Sequence, residues 1–273
     1  MKKTVIGAIA LLGALSVTPV SAKETISAVG SSSVTPLMEV FGETYMKSHE
    51  GVFIEVQGPG SSAGVKAAKN GSADLGMASR NLKASEKEDT LKELVVARDG
   101  IAVVVNPKNK IQGLTAAQVT AIYKGDVTNW KDVGGEDKPI VAITRDTASG
   151  TRGAFEDIMS LKQKIAGKKV SAISQRAQVA AGNGALKTNV ASNPYAIGYI
   201  SLGTVDASVH ALAIDGVDAT VANVKSGDYK VARPFLVLYR EGKPSAETQK
   251  FLDWMVADDA QKLVGAKGYI SVQ

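Results

Sequence analysis

Thr25-Ile26-Ser27-Ala28-Val29-Gly30-Ser31-Ser32-Ser33-Val34-Thr35-Pro36-Leu37 joins a short strand to a helix through a glycine–serine loop. Thr25 to Val29 reads as the strand. The helix is predicted from about Thr35 to Ser48, since Pro36 suits a first helical turn and Leu37, Phe41 and Tyr45 recur on one face. The same unit follows at once. Val52 to Gln57 alternates as a strand, and Gly58-Pro59-Gly60-Ser61-Ser62 leads into a helix, Ala63 to Lys69, which Asn70-Gly71 stops. Further on, strands are predicted near Asp74 to Ala78, Leu94 to Val105, Pro139 to Thr144, Ile197 to Ile200, Ala211 to Ile214 and Val231 to Tyr239. Helices are predicted around Ser85 to Lys92, Thr115 to Tyr123, Gly150 to Met159, Arg176 to Asn189 and Ser245 to Ala257. Strands alternating with helices indicate an α/β architecture with largely parallel sheets.

The start of the chain assigns a compartment. Lys2 and Lys3 precede an uncharged run of 14 residues, Thr4 to Val17, and Pro19 and Val20-Ser21-Ala22 follow. This is the layout of a secretory signal peptide cleaved after Ala22; the run is short of the ~20 residues of a membrane-spanning helix. Of 273 residues, 251 would remain, enough for one large domain or two lobes. With no cysteine, an exported chain relies on its core for stability, and thiol catalysis and thiolate metal sites are excluded. The net charge of +5 falls to +3 without Lys2 and Lys3. The basic residues are scattered, which argues against nucleic-acid binding, and a mildly positive surface attracts small anions.

Three segments share one chemistry: Gly30-Ser31-Ser32-Ser33-Val34, Gly58-Pro59-Gly60-Ser61-Ser62 and Arg145-Asp146-Thr147-Ala148-Ser149-Gly150-Thr151. Each follows a predicted strand and opens a predicted helix, whose first N–H groups lack internal partners and whose dipole end is partly positive. Glycine lets backbone approach a ligand, and hydroxyls add donors. Any one such loop is commonly just a helix cap. Three of them, converging at the strand ends with Arg145 as a two-pronged cation, point to a site for a phosphate- or sulfate-sized anion.

Gly30-Ser31-Ser32-Ser33, Gly60-Ser61-Ser62, Gly76-Met77-Ala78-Ser79-Arg80, Thr128 to Gly135 and above all Arg145 to Thr151 resemble the signature segments of periplasmic phosphate-binding proteins of the PstS type. The resemblance spans essentially the whole mature chain. It implies a type II periplasmic-binding-protein fold, with two α/β lobes joined by two crossover strands near Val95–Val105 and Val231–Leu238 and the ligand between them. Lobe 1 would then comprise residues 23–100 and 234–273, and lobe 2 residues 101–233. The phosphate-binding residues it implies are Ser32, Ser33, Val34, Ser61, Arg80, Arg145, Ser149, Gly150 and Thr151. The implied function is capture of inorganic phosphate in the periplasm and its delivery, as a monomer without cofactor or metal, to the membrane permease of an ABC importer. One departure stands out: a branch of the family places an aspartate, acceptor of the phosphate proton, where this chain has Arg80. Asp99 and Asp146 are the alternative acceptors.

Two other functions compete. A carrier for sulfate, molybdate or tungstate suits a site without an acceptor. An exported phosphatase is disfavoured, because His49 and His210 are the only histidines, both lie outside the loops, and no Gly-x-Ser-x-Gly elbow occurs. Trp130 and Trp254 read as packing residues. Glu86-Lys87-Glu88-Asp89 and Lys168-Lys169 read as solvated surface.

Overall fold

The structure, a computed structural model, describes residues 23–273. The signal-peptide reading concerns residues 1–22, outside the described residues. Strands β1 (Glu24–Gly30), β2 (Val52–Gln57), β3 (Leu75–Ala78) and β4 (Leu91–Val105) come first, with helices α1 (Thr35–Ser48) and α2 (Ser61–Asn70) between them. The middle of the chain gives β5 (Gly113–Leu114), α3 (Ala116–Lys124), β6 (Val141–Arg145), α4 (Gly150–Ile158), β7 (Lys162–Ile165), β8 (Lys168–Ser171), β9 (Gln178–Ala180), α5 (Gly182–Ser192), β10 (Ala196–Ser201), β11 (His210–Ala211), β12 (Ala213–Ile214) and α6 (Val221–Ser226). The chain closes with β13 (Ala232–Arg240), α7 (Ala246–Met255) and α8 (Asp258–Ala266).

The main sheet runs β2-β1-β3-β13-β4-β10-β6-β9. β1 pairs parallel with β2 and β3, and β10 pairs parallel with β6, as does β6 with β9. The antiparallel pairs are those of β4 and β13, the two strands that cross between the halves. β4 holds β13 over Leu91–Gly100 and then changes partner, pairing with β10 over Ile101–Val105. Its sequence records that change. Ile101 to Val105 is an unbroken apolar run because both faces are covered: Ile101, Val103 and Val105 enter one core, Ala102 and Val104 another. The first lobe packs around Ile26, Phe41, Tyr45, Phe235 and Phe251. The second packs around Tyr123, Trp130, Phe155 and Tyr199. Trp130 is a core residue whose Nε1 donates to the Tyr195 carbonyl, and Trp254 packs edge-on to Phe41.

Some expected elements differ. In place of a helix over Ser85 to Lys92 there is one 3₁₀ turn, Ala84–Glu86, and β4 already begins at Leu91, because β13 supplies a ladder that overrides local propensity. The helix expected from Arg176 is interrupted by β9 and starts only at Gly182. Lys168 and Lys169 are exposed as expected, but in the hairpin β7–β8, which turns through Ala166 and Gly167 at φ of 48° and 78°.

Gly64 fixes how α2 sits on the sheet. A Cβ there would stand 2.5 Å from the Met77 carbonyl and 2.6 Å from that of Val29, both backbone atoms. Gly64→Ala should cost about 1–3 kcal/mol by overpacking and lower the melting temperature by several degrees. Thermal unfolding checks this, and an unchanged midpoint would show that α2 can move freely off the sheet.

Candidate functional site

Three helix N-termini face one another where the lobes meet. α1 and α2 begin without any side-chain cap, leaving their positive ends to whatever lies in front of them. α4 begins at Gly150, and Ser149 caps it by accepting from Arg152 N–H at 3.2 Å, which leaves the Ser149 proton free to donate outward. The loops touch across the interface: Ser62 N–H donates to the Ala148 carbonyl at 3.1 Å. A Cβ on Gly150 would stand 2.0 Å from Ser61 Oγ and 2.6 Å from Ser79 Oγ, so only glycine allows this approach.

Arg145 lies at the centre. It ends β6, is 2 % exposed, and donates from Nη1 to Asn183 Oδ1 and from Nη2 to Ser32 Oγ, both at 3.1 Å. Its Nε is buried without a hydrogen-bond partner, and among the described residues no carboxylate lies within ion-pair distance of it. Burial pulls its pKa below the ordinary arginine value, Asp146 opposes this, and the nearby Arg233 charge adds to it. A guanidinium nevertheless stays charged. Its backbone is fixed from behind: Arg145 N–H donates to Tyr199 Oη, and Arg152 Nη1 donates to the Arg145 carbonyl at 2.7 Å. Tyr199 itself bonds Thr144 Oγ1 at 2.7 Å, and burial pushes its phenol up to about 12.

Ser33 Oγ is the second hub. It meets Thr151 Oγ1 at 2.8 Å, Asn183 Nδ2 at 2.9 Å and Arg233 Nη2 at 3.2 Å. Beside it runs a serine chain: Ser31 Oγ donates to Ser79 Oγ at 2.8 Å, and Ser79 N–H donates to Ser61 Oγ at 3.1 Å. The cluster thus brings together Ser32, Ser33, Ser61, Arg145, Ser149, Gly150 and Thr151 of the expected set. Val34 is adjacent, but its N–H closes a turn onto the Ser31 carbonyl at 3.0 Å.

Arg80 departs from expectation. Its guanidinium forms a two-pronged pair with Glu86, at 2.6 and 2.8 Å, while Nη2 also donates to Ser62 Oγ at 3.4 Å, so it lines the groove beside the cluster with its charge already paired. Glu86, expected on a solvated face, is drawn inward: burial raises its pKa, but the bonds from Arg80 prevail and hold it below the usual range. Both candidate proton acceptors have partners, although Asp99 Oδ1 is buried with none. Asp146 Oδ1 accepts from Ala148 N–H at 2.8 Å, capping its own loop. Asp99 is fully buried and its Oδ2 accepts from Arg233 Nε and Nη2 at 3.1 and 2.8 Å. Burial lifts the Asp99 carboxyl above its ordinary value, against the pull of Arg233. His49 lies outside the cluster, stacked on Tyr45.

Asn183, Ser79 and Arg233 escape the loop-based reading. Asn183 sits in Gly182-Asn183-Gly184 at the start of α5, a glycine-flanked helix start like the other three. Arg233 has no local signal, since its carboxylate partner is 134 positions away. A groove of about 690 Å³ opens beside the cluster, sharing Ser149 with it and lined by Lys83, Arg152 and Lys169 from the two lobes.

A profile of the PBP superfamily domain matches residues 17–259. The phosphate-binding protein PstS of Bacillus subtilis (strain 168) is 31% identical, over 92% of this chain and 82% of its own length. The chain belongs to the PstS family of phosphate-binding proteins. Its fold is the two-lobed fold of that family. A candidate phosphate ABC transporter substrate-binding protein from Clostridium perfringens, solved with bound phosphate, is 41% identical with a TM-score of 0.86, covering 92% of this chain and 100% of its own. An ABC-type phosphate transport receptor from Vibrio cholerae is 40% identical with a TM-score of 0.78, covering 91% of this chain and 100% of its own.

If the close packing of Gly150 against Ser61 is what permits closure, Gly150→Ala should weaken anion binding by roughly tenfold or more while the lobes remain folded. Calorimetric titration with phosphate and a melting curve measure the two effects separately. Full affinity in this variant would show that closure tolerates a wider gap.

Proposed function

We propose that this chain captures inorganic phosphate between its lobes and hands it to the membrane permease of an ABC importer, acting as a monomer in the periplasm after loss of residues 1–22. The observation that carries the reading is the state of Arg145: a buried guanidinium with an unpartnered Nε and, among the described residues, no carboxylate in contact, placed where both lobes meet. A buried charge in that condition is costly, and an anion bound there removes the cost. Ser32, Ser33, Ser61, Ser149 and Thr151 supply hydroxyls, and the α4 terminus at Gly150 supplies N–H groups and dipole. Lobe 1 (23–100 and 234–273) and lobe 2 (101–233) are the units that move, and anion bridging them favours the closed population. Arg80 contributes positive charge beside the site and Val34 contributes shape.

The use of Asp146 as a loop cap, and the pairing of Asp99 Oδ2 with Arg233, support a second reading, a carrier for an oxyanion without a proton, such as sulfate. Arg145→Ala separates neither reading but tests the site. A charge-assisted contact in a partly dry cleft is worth about 1.5–3 kcal/mol, so phosphate affinity should fall at least tenfold with the fold intact. Titrating wild type and variant with phosphate and sulfate decides both questions. Equal affinity in the variant removes Arg145 from the site, and wild-type preference for sulfate selects the second reading.

A further inference from the structure

The hydrogen bonds around Ser33 have a fixed direction. Arg145 can only donate, so the amide oxygen of Asn183 faces Arg145 and its Nδ2 faces Ser33, to which it donates at 2.9 Å. Arg233 can also only donate, and its Nη2 reaches the same Ser33 oxygen at 3.2 Å. A hydroxyl oxygen has two lone pairs and one proton. Both lone pairs of Ser33 are therefore filled, and its proton is left to donate, here toward Thr151 Oγ1 at 2.8 Å. Thr151 in turn accepts from Ser33, which frees the Thr151 proton.

Arg233 is held in this position from every side. It stands opposite Asp99 in the β4–β13 register, donates twice to Asp99 Oδ2, and donates from Nη1 to the Ser79 carbonyl at 3.2 Å. Its side chain is 1% exposed and that of Asp99 0%. The pair therefore ties both crossover strands to the loop that carries Ser33.

We propose that Arg233, fixed by Asp99, is a positioning residue for anion recognition: together with Asn183 it fills the lone pairs of Ser33 and so commits the Ser33 hydroxyl to donate, to Thr151 here and to an oxyanion that takes the place of Thr151 as its acceptor. This rests on the phosphate-capture reading and adds a residue outside the three loops to it. A hydroxyl that can still accept loses part of its time to other partners; one that can only donate is preorganised for an anion's oxygens.

The test is a double-mutant cycle on the full mature chain, read by calorimetric titration with inorganic phosphate. Asp99→Leu with Arg233→Met removes the ion pair as a unit, so that no buried charge is left alone. Ser33→Ala removes the hydroxyl. Each alone should weaken phosphate binding by about tenfold, and removal of the pair in the Ser33→Ala background should add less than about twofold, because Arg233 acts through Ser33. Additive losses overturn the proposal, since a purely structural pair would weaken binding with or without the hydroxyl. If the double replacement does not fold, Arg233→Lys takes its place in the cycle: lysine can pair with Asp99 but lacks the fork that reaches Ser33 as well, and the same non-additivity is expected. Wild type that binds no phosphate overturns the capture reading and this proposal with it, whereas wild-type binding with additive losses overturns this proposal alone.

Discussion

Arg145 carries its charge into the interior of the lobe interface, with hydrogen bonds to neutral oxygens only, and the surrounding loops are arranged in keeping with that charge. Desolvating a guanidinium costs several kcal/mol, which weak neutral acceptors do not return in full. The neighbouring elements hold the charge in place instead of neutralising it. Tyr199 and Arg152 anchor the backbone of Arg145, while Asn183 and Ser32 orient its two Nη atoms. The residual positive field, with the α1, α2 and α4 termini, is what the proposed oxyanion would meet. Asp99 balances Arg233, the other guanidinium of the cluster, so the excess of positive charge stays with Arg145.

The crossover strands tie this electrostatic arrangement to both halves of the sheet. β4 changes its partner from β13 to β10 between Gly100 and Ile101, and the Asp99–Arg233 pair lies beside that change. The site is thus bonded to the crossover strands as well as to the two lobes. Serine-rich loops provide contacts that can form and part at small cost, because each hydroxyl bond exchanges for a bond to water. The cores beneath them, around Phe41 and Phe235 in one lobe and Phe155 and Tyr199 in the other, keep each half rigid while they do so.

Much of this is legible in the chain itself. The loops at Ser31, Ser61 and Ser149 announce themselves because glycine and serine at a strand–helix junction serve a local geometric need. Residues whose role depends on distant partners do not. Arg233 stands in an ordinary apolar strand, and only the folded register sets it against Asp99. Arg80 reads as a ligand donor from its place beside Ser79, and what that reading misses is its pair with Glu86 across a single 3₁₀ turn. Asn183 had a local signal, its flanking glycines, hidden within a helix expected to run unbroken from Arg176. The helix expected over Ser85 to Lys92 failed for a related reason: its pairing partner, β13, comes more than a hundred residues later.

The central claim is that a bound oxyanion, by satisfying Arg145 and donors of both lobes, holds the lobes together. Small-angle scattering on the phosphate-stripped mature protein tests it most directly. Addition of saturating phosphate should reduce the radius of gyration and shift the profile toward that of the closed arrangement described here. Superimposable profiles with and without phosphate, under conditions where calorimetry shows the site filled, would contradict it.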